Sequence, residues 1–220
     1  MSIKHPVTAQ RGRRPRGSNN AADAAAREEL YAFRDAANVD LKAFAEAFSK
    51  RLCTGHLGAV LETIEYLKYR TNVWLEITTL LIPGHNDSPE EVKKLSESVM
   101  TRLGPDVRLH FTAFYPDYKM LDLPCTPAFT LTRARDIARE VGLHFVYTGN
   151  VHDETGQSTY CPGCGDRIIG RDWYDITTWR LTGDGRCGIC STAIPGSFET
   201  RPGSRGRRRV PIRIGRLERS

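Results

Sequence analysis

Between Asn38 and Val151, short apolar runs rich in β-branched residues alternate with stretches of helical length and helical periodicity. That alternation limits the possible folds more than any other feature of the chain. The segment NVDLKAF (38–44) reads as a short strand followed by a turn, and residues 45–69 read as a helix with Val60, Ile64 and Leu67 on one face. The run NVWLEITTLLIP (72–83) is β-branched and mostly apolar, the pattern of a strand buried on both faces. Pro83-Gly84 ends it. Ser88 is placed to cap the next helix, Pro89 sits at its first position, and Glu90 and Glu91 face its positive end. That helix is expected to reach Leu103. The strand VRLHFTAF (107–114), a helix from Leu131 to Val141 and the strand HFVYTGNV (144–151) complete the series. Crossovers of roughly 20–30 residues cannot be hairpins, so the strands pair in parallel. Four strands are too few to close an eight-stranded barrel. The expected fold is therefore α/β, a partial (β/α) TIM-like barrel of about four βα units.

The cysteines define a second element. Cys161-Pro162-Gly163-Cys164-Gly165 and Cys187-Gly188-Ile189-Cys190 are two C-x-x-C knuckles in which Pro and Gly permit the tight turn that aims two thiolates at one ion. Four thiolates suit a tetrahedral ion and leave no open position, so Cys161, Cys164, Cys187 and Cys190 are predicted to hold a structural zinc in a small ribbon. A redox dithiol, two disulfides or a rubredoxin-like iron use the same residues, and spacing alone does not separate them. Cys53 and Cys125 stand apart. The intervening RIIGRDWYDITTWRLT supplies aromatic and β-branched residues for two or three short strands.

The net charge of +6 is unevenly placed. Lys4, Arg11, Arg13, Arg14 and Arg16 give residues 1–20 a charge of +5, and eight arginines against Glu218 give residues 201–220 a charge of +7. Taking that +12 from the total leaves −6 on the residues between, so the basic pI belongs to the ends. The acidic residues around the ribbon oppose a phosphate backbone, which makes nucleic acid an unfavoured partner. No run of 18 apolar residues and no secretory h-region is present in the sequence, and paired C-x-x-C motifs then point to a cytoplasmic protein. The expected organisation is a basic, Ala-rich leader at 1–36 that is disordered or helical, the partial barrel at 37–152, the ribbon at 153–200 and an Arg-rich tail at 201–220.

Read in order, NVDLKAF, LEITTLLIPGHND, VRLHFTAFYPDYKM, YTGNVHD and STYCPGCG resemble the radical SAM enzyme of the AmmeMemoRadiSam system, a relative of the pyruvate formate-lyase activating enzymes. The resemblance covers about residues 36–200. It implies S-adenosylmethionine bound on a [4Fe–4S] cluster, with three thiolates of a C-x-x-x-C-x-x-C motif each anchoring one iron. No such motif occurs in these residues, and the segment before Asn38 holds a basic leader in its place. The chain therefore resembles the C-terminal part of the family's barrel with its ribbon, and is expected not to form the radical by itself. By the same resemblance, Asp40 and Lys42 of the D-L-K motif, and Thr78 on the next strand, are carried over as S-adenosylmethionine contacts. Two residues apart on a strand, Asp40 and Lys42 project on the same side.

Several other residues have a structural reading beside a functional one. Glu76 is either a pocket carboxylate or a rim-exposed strand end, and His110 reads as a satisfied core histidine. Asn86 and Asp87 are explained by capping although they start a βα loop, and His152-Asp153 reads as a capped turn. Relatives carry His where Tyr115 aligns, so no cofactor role passes to Tyr115. Two functions follow. The first is the C-terminal portion of a radical SAM enzyme. The second is a non-enzymatic zinc-binding interaction module needing a partner to complete its barrel. The expected partners are a polypeptide supplying the missing strands and, through the resemblance alone, Memo-like and AMMECR1-like proteins. A half-barrel is also expected to expose an apolar face and two open sheet edges.

Overall fold

A computed structural model describes residues 24–203, except 47, 49 and 51–54. The N-terminal end of the leader, the Arg-rich tail from 204 onward and Cys53 lie outside the described residues. A four-stranded parallel sheet is built from β1 (Ala36–Asp40), β2 (Trp74–Leu81), β3 (Arg108–Ala113) and β4 (Phe145–Gly149), in that spatial order. The crossovers carry α2 (Leu57–Arg70), α3 (Pro89–Leu103) and α4 (Ala128–Glu140), and a short α1 (Ala24–Tyr31) precedes β1. Sequential order with a helix in every crossover is the pattern of a (β/α) barrel, here four units of it.

Side chains alternate across each strand, so the register sorts them into two faces. One face carries Leu75, Ile77, Leu81, Leu109, Phe111, Ala113 and Val146, packed against Val60, Ile64 and Leu67 of α2, Val92, Leu95 and Val99 of α3, and Leu131, Ala134 and Ala138 of α4. Ile77, Leu81, Leu109 and Phe111 are wholly buried there, each worth about 1.5–3 kcal/mol of transfer free energy. This is the main core. The opposite face, the interior of the partial barrel, is lined by alternate residues that are mostly polar.

Two sequence expectations are corrected. The continuous helix over 45–69 is interrupted: Glu46, Phe48 and Lys50 are helical, but Gly55 and His56 are not, and α2 starts at Leu57. The cause is local, because the Glu46 carboxylate turns back to accept from Leu57 N (3.0 Å) and to pair with His56 Nδ1 (3.1 Å). Likewise β2 is not buried on both faces. Its residues alternate between half-buried and buried, because helices cover one face only.

The ribbon contains α5 (Glu154–Gln157) and an antiparallel sheet of β5 (Thr159–Tyr160), β6 (Arg167–Asp172) and β7 (Asp175–Trp179). Asp153 caps α5 by accepting from Gly156 N, as the turn reading expected. The ribbon's core of Ile168, Ile169, Leu181, Cys187 and Ile194 packs on Phe145 and Tyr147, which belong to the interior face of β4. Thus the ribbon sits over one side of the barrel interior. No helix among the described residues is long and apolar enough to cross a membrane.

Candidate functional site

The D-L-K segment leaves the C-terminal end of β1 under unusually full backbone restraint. Thr79 Oγ1 donates to the Leu41 carbonyl (2.8 Å), and Asn86 Nδ2 donates to the Lys42 carbonyl (2.6 Å) and to that of Leu80 (2.9 Å). Asn86 Oδ1 in turn accepts from Ile82 N (2.7 Å). Glu91, in the first turn of α3, accepts from Phe44 N (2.6 Å) and Ala45 N (3.0 Å). Asn86 is therefore a buried clamp and not a pocket residue, and Glu91 has a second task besides facing a helix N-terminus. Asp87 accepts from Gly84 N, and Ser88 caps α3 by accepting from Glu91 N.

With its backbone fixed, the segment presents Asp40 and Lys42 side by side as an ion pair (3.0 Å) whose side chains are 56% and 37% exposed. At that exposure the pair contributes little to stability, roughly 0–1 kcal/mol. Register puts Asp40 beside Thr78, Thr78 beside His110, and His110 beside Tyr147. The three residues carried over from the resemblance thus lie together. The next row toward the strand N-termini is Asn38, Glu76, Arg108 and Phe145. At about 4.8 Å between strands, each row spans roughly 14 Å.

Two of these residues were read more plainly from sequence than the structure warrants. His110 Nε2 lies 3.1 Å from Glu76 Oε2, and the other Glu76 oxygen accepts from Trp74 Nε1 (3.2 Å). His110 also stacks on Tyr147, with centroids 5.0 Å apart. Glu76 is a half-buried interior carboxylate, not a rim residue. Burial pushes its carboxyl up, but the hydrogen bond and charge of His110, the Trp74 N–H and the Arg108 charge outweigh burial and hold it below the ordinary value. The Arg108 guanidinium is sandwiched 4.3 Å from the ring centroids of both Trp74 and Phe145 and donates to the ribbon carbonyl of Pro195. The available signal was parity: Glu76 and Thr78 share one face of β2, and His110 shares the matching face of β3.

The four cysteines of the ribbon converge, every Sγ lying within 4.8 Å of the others. Cys161 and Cys190 sulfurs are 3.5 Å apart, and those of Cys164 and Cys187 are 3.8 Å apart. A tetrahedral ion with metal–sulfur bonds of about 2.3 Å has sulfur–sulfur edges of about 3.8 Å, so the donor set fits one metal ion. Both knuckles have the same internal bonding: Gly165 N donates to the Cys161 carbonyl, and Ser191 N to that of Cys187. The residue after each second cysteine is left-handed, Gly165 at φ +78° and Ser191 at φ +62°. Without a cation, four thiols this close cannot all ionise. A backbone N–H near Asp166 favours the Cys164 thiolate, but desolvation and hydrogen bonding with Cys190, Cys161 and Cys187 push that thiol up to about 12. Hydrogen bonds from the Thr192 side chain and backbone bring Cys190 down to about 6.

The interior face is not the apolar surface expected of a half-barrel, since Asn38, Asp40, Glu76, Thr78 and His110 line it. Nor are both edges open. Arg135 Nε, buried beneath Tyr160, donates to the Val146 carbonyl of β4 (3.1 Å), and the ribbon packs beside that strand. No strand among the described residues pairs with the outer edge of β1. Among the loops that follow the strands, Tyr115 is committed to the Asn150 carbonyl (2.8 Å), and His152 pairs with Asp172 (3.0 Å).

Fold and site together define an α/β protein with a parallel, four-stranded partial (β/α) barrel and a four-cysteine group able to hold a metal ion. Comparison with known proteins agrees on the fold. A domain of a pyruvate-formate lyase-activating enzyme from Bacteroides vulgatus superposes with a TM-score of 0.52 at 15% identity, over 60% of this chain and 79% of that one. A radical SAM methyltransferase from Sphaerobacter thermophilus gives a TM-score of 0.41 at 16% identity, over 51% of this chain and 33% of its own, too low to bear on the fold. In sequence, an uncharacterised protein of Methanocaldococcus jannaschii is 40% identical over 161 residues, 73% of this chain. This chain spans about half, 48%, of that relative's length. No family model matches the sequence.

Proposed function

We propose that these residues are the C-terminal portion of a radical SAM enzyme of the AmmeMemoRadiSam type, with a structural zinc in the ribbon and the interior sheet face as the binding surface. The observation that carries this is the row Asp40, Thr78, His110 and Tyr147 on the interior of a radical SAM-like partial barrel, next to the clamped D-L-K segment. Asp40 and Lys42 would meet the charged groups of S-adenosylmethionine, and Thr78 its neighbouring surface. Zinc is favoured over an iron–sulfur cluster in the ribbon because the sulfurs converge on one point, whereas a four-iron cube puts each thiolate on a different iron and holds them further apart.

The cluster implied by the resemblance does not fit the cysteines of these 220 residues. The only C-x-x-C pairs belong to the ribbon, and neither Cys53 nor Cys125 has another cysteine at a matching spacing. No chemical step is therefore derived through it. The outer edge of β1, which pairs with no strand among the described residues, is where strands bearing that motif would pair, whether they belong to the same polypeptide or to another. Memo-like and AMMECR1-like partners and a cytoplasmic location go with this reading. A zinc-binding interaction module is the second reading, favoured by that same open edge.

Anaerobic iron–sulfur reconstitution of the 220-residue chain tests the proposal. It should yield about one zinc per chain and no cluster absorbance. A stoichiometric cluster that responds to S-adenosylmethionine would show the assignment of metal sites to be wrong.

A further inference from the structure

The geometry points to an acid–base site at Glu76 and His110, in which the His110 Nδ1 atom takes a proton from a hydroxyl or ammonium group of a ligand lying on the interior sheet face. Resting on the reading above only for the identity of that ligand, the inference stands on three observations.

The first is orientation. With Glu76 Oε2 at 3.1 Å from Nε2, the ionised carboxylate holds the ring proton on Nε2 and leaves the Nδ1 lone pair outward. A carboxylate behind an imidazole also balances the positive charge formed when the outer nitrogen takes a proton. The second is access. Nδ1 has no hydrogen-bond partner among the described residues, and it is not among the buried unpartnered atoms, so it reaches solvent although the side chain is only 28% exposed. A histidine serving only the core would have both nitrogens satisfied.

The third is support from both sides. Tyr147 stacks on the imidazole, and its hydroxyl is hydrogen-bonded to Thr159 Oγ1 of β5 (3.1 Å). Arg171 of β6 donates to the same Thr159 oxygen (2.7 Å) and lies over the Tyr147 ring. On the other flank, the Arg108 cation beside Glu76 is fixed between two rings and tied to Pro195. The ribbon therefore braces the neighbour of each member of the pair, Tyr147 beside His110 and Arg108 beside Glu76. In the transfer, the ligand's O–H or N–H bond breaks, Nδ1–H forms, and the ligand is left as its conjugate base while the imidazolium charge is balanced by Glu76. His110 is the group that meets ligand, and Glu76 is a positioning residue.

The test needs neither cluster nor S-adenosylmethionine, so its outcome is separate from that of the function proposed above. The metal-replete chain is treated with diethyl pyrocarbonate at about pH 8, where imidazole is neutral, and carbethoxylation is mapped at each histidine by mass spectrometry. His110 should react at least as fast as His152, whose side chain is 67% exposed, and Glu76→Gln should slow His110 by about threefold or more with His152 unchanged. Nitrogen-15 spectra of the wild-type chain should show the proton on Nε2 and a bare Nδ1, a readout that does not depend on the variant folding. Resistance of His110 to the reagent, an unchanged rate in Glu76→Gln, or a proton on Nδ1 would each overturn the inference.

Discussion

Asn86 shows how one side chain can decide the geometry of a site it does not enter. Its amide joins Ile82, Leu80 and Lys42, so it locks the end of β2 to the segment that carries Asp40 and Lys42. Removing it leaves one buried N–H and two carbonyls unpaired, and Asn86→Ala should cost about 2–3 kcal/mol, read as a lower urea midpoint at unchanged slope. Glu76 behaves differently because it titrates. Its folded pKa lies below its ordinary value of 4.5, so its contribution to stability is complete above 4.5 and is lost as pH falls through the folded value. The stability difference between wild type and Glu76→Gln should therefore be largest near neutral pH and shrink below about 4.5, followed by urea unfolding across that range. At this scale the sequence was only partly legible. The capping of α3 and the two C-x-x-C knuckles follow from local spacing, whereas the Glu76–His110 contact joins residues 34 positions apart and depends on the register of two strands.

Among the elements, α3 was readable because its signals are local and agree: Ser88 at the cap, Pro89 at the first position and Glu90 and Glu91 in the first turn. Ser88→Ala should cost about 1 kcal/mol, seen by thermal or urea unfolding. The helix expected over residues 45–69 failed for the converse reason. Its periodicity extends across Gly55, but the side chain of Glu46 supplies the N-terminus of α2 with a bond that a continuous helix would have used in the backbone. In the ribbon, a Cβ on Gly163 would stand 2.2 Å from Thr192 Oγ1, where one knuckle packs on the other. Gly163→Ala should force the knuckles apart and weaken metal retention, measured by competition with a chromophoric chelator. Retention equal to wild type would mean that the ribbon tolerates wider spacing than its packing implies.

Taken whole, the molecule is a covered sheet with one side left available. Helices close the outer face, the ribbon and Arg135 close the β4 side, and polar residues line what is left of the interior. Loss of a metal ion held by the four cysteines should expose Phe145 and Tyr147 and free Arg108, while the sheet–helix core keeps its own apolar packing. Near-ultraviolet signal should fall much more than helical signal on chelation. The polar interior was not legible in composition, since parity along each strand and register between strands must both be known before the rows of residues emerge. Complementation at the outer edge of β1, with which no described strand pairs, tests the proposed reading most directly. Mixed anaerobically with a polypeptide that carries C-x-x-x-C-x-x-C in a βα pattern, this chain should form a complex that cleaves S-adenosylmethionine reductively, with Asp40→Ala lowering the yield. No association and no cleavage with any such polypeptide, or full cleavage by the motif-bearing polypeptide alone, would contradict it.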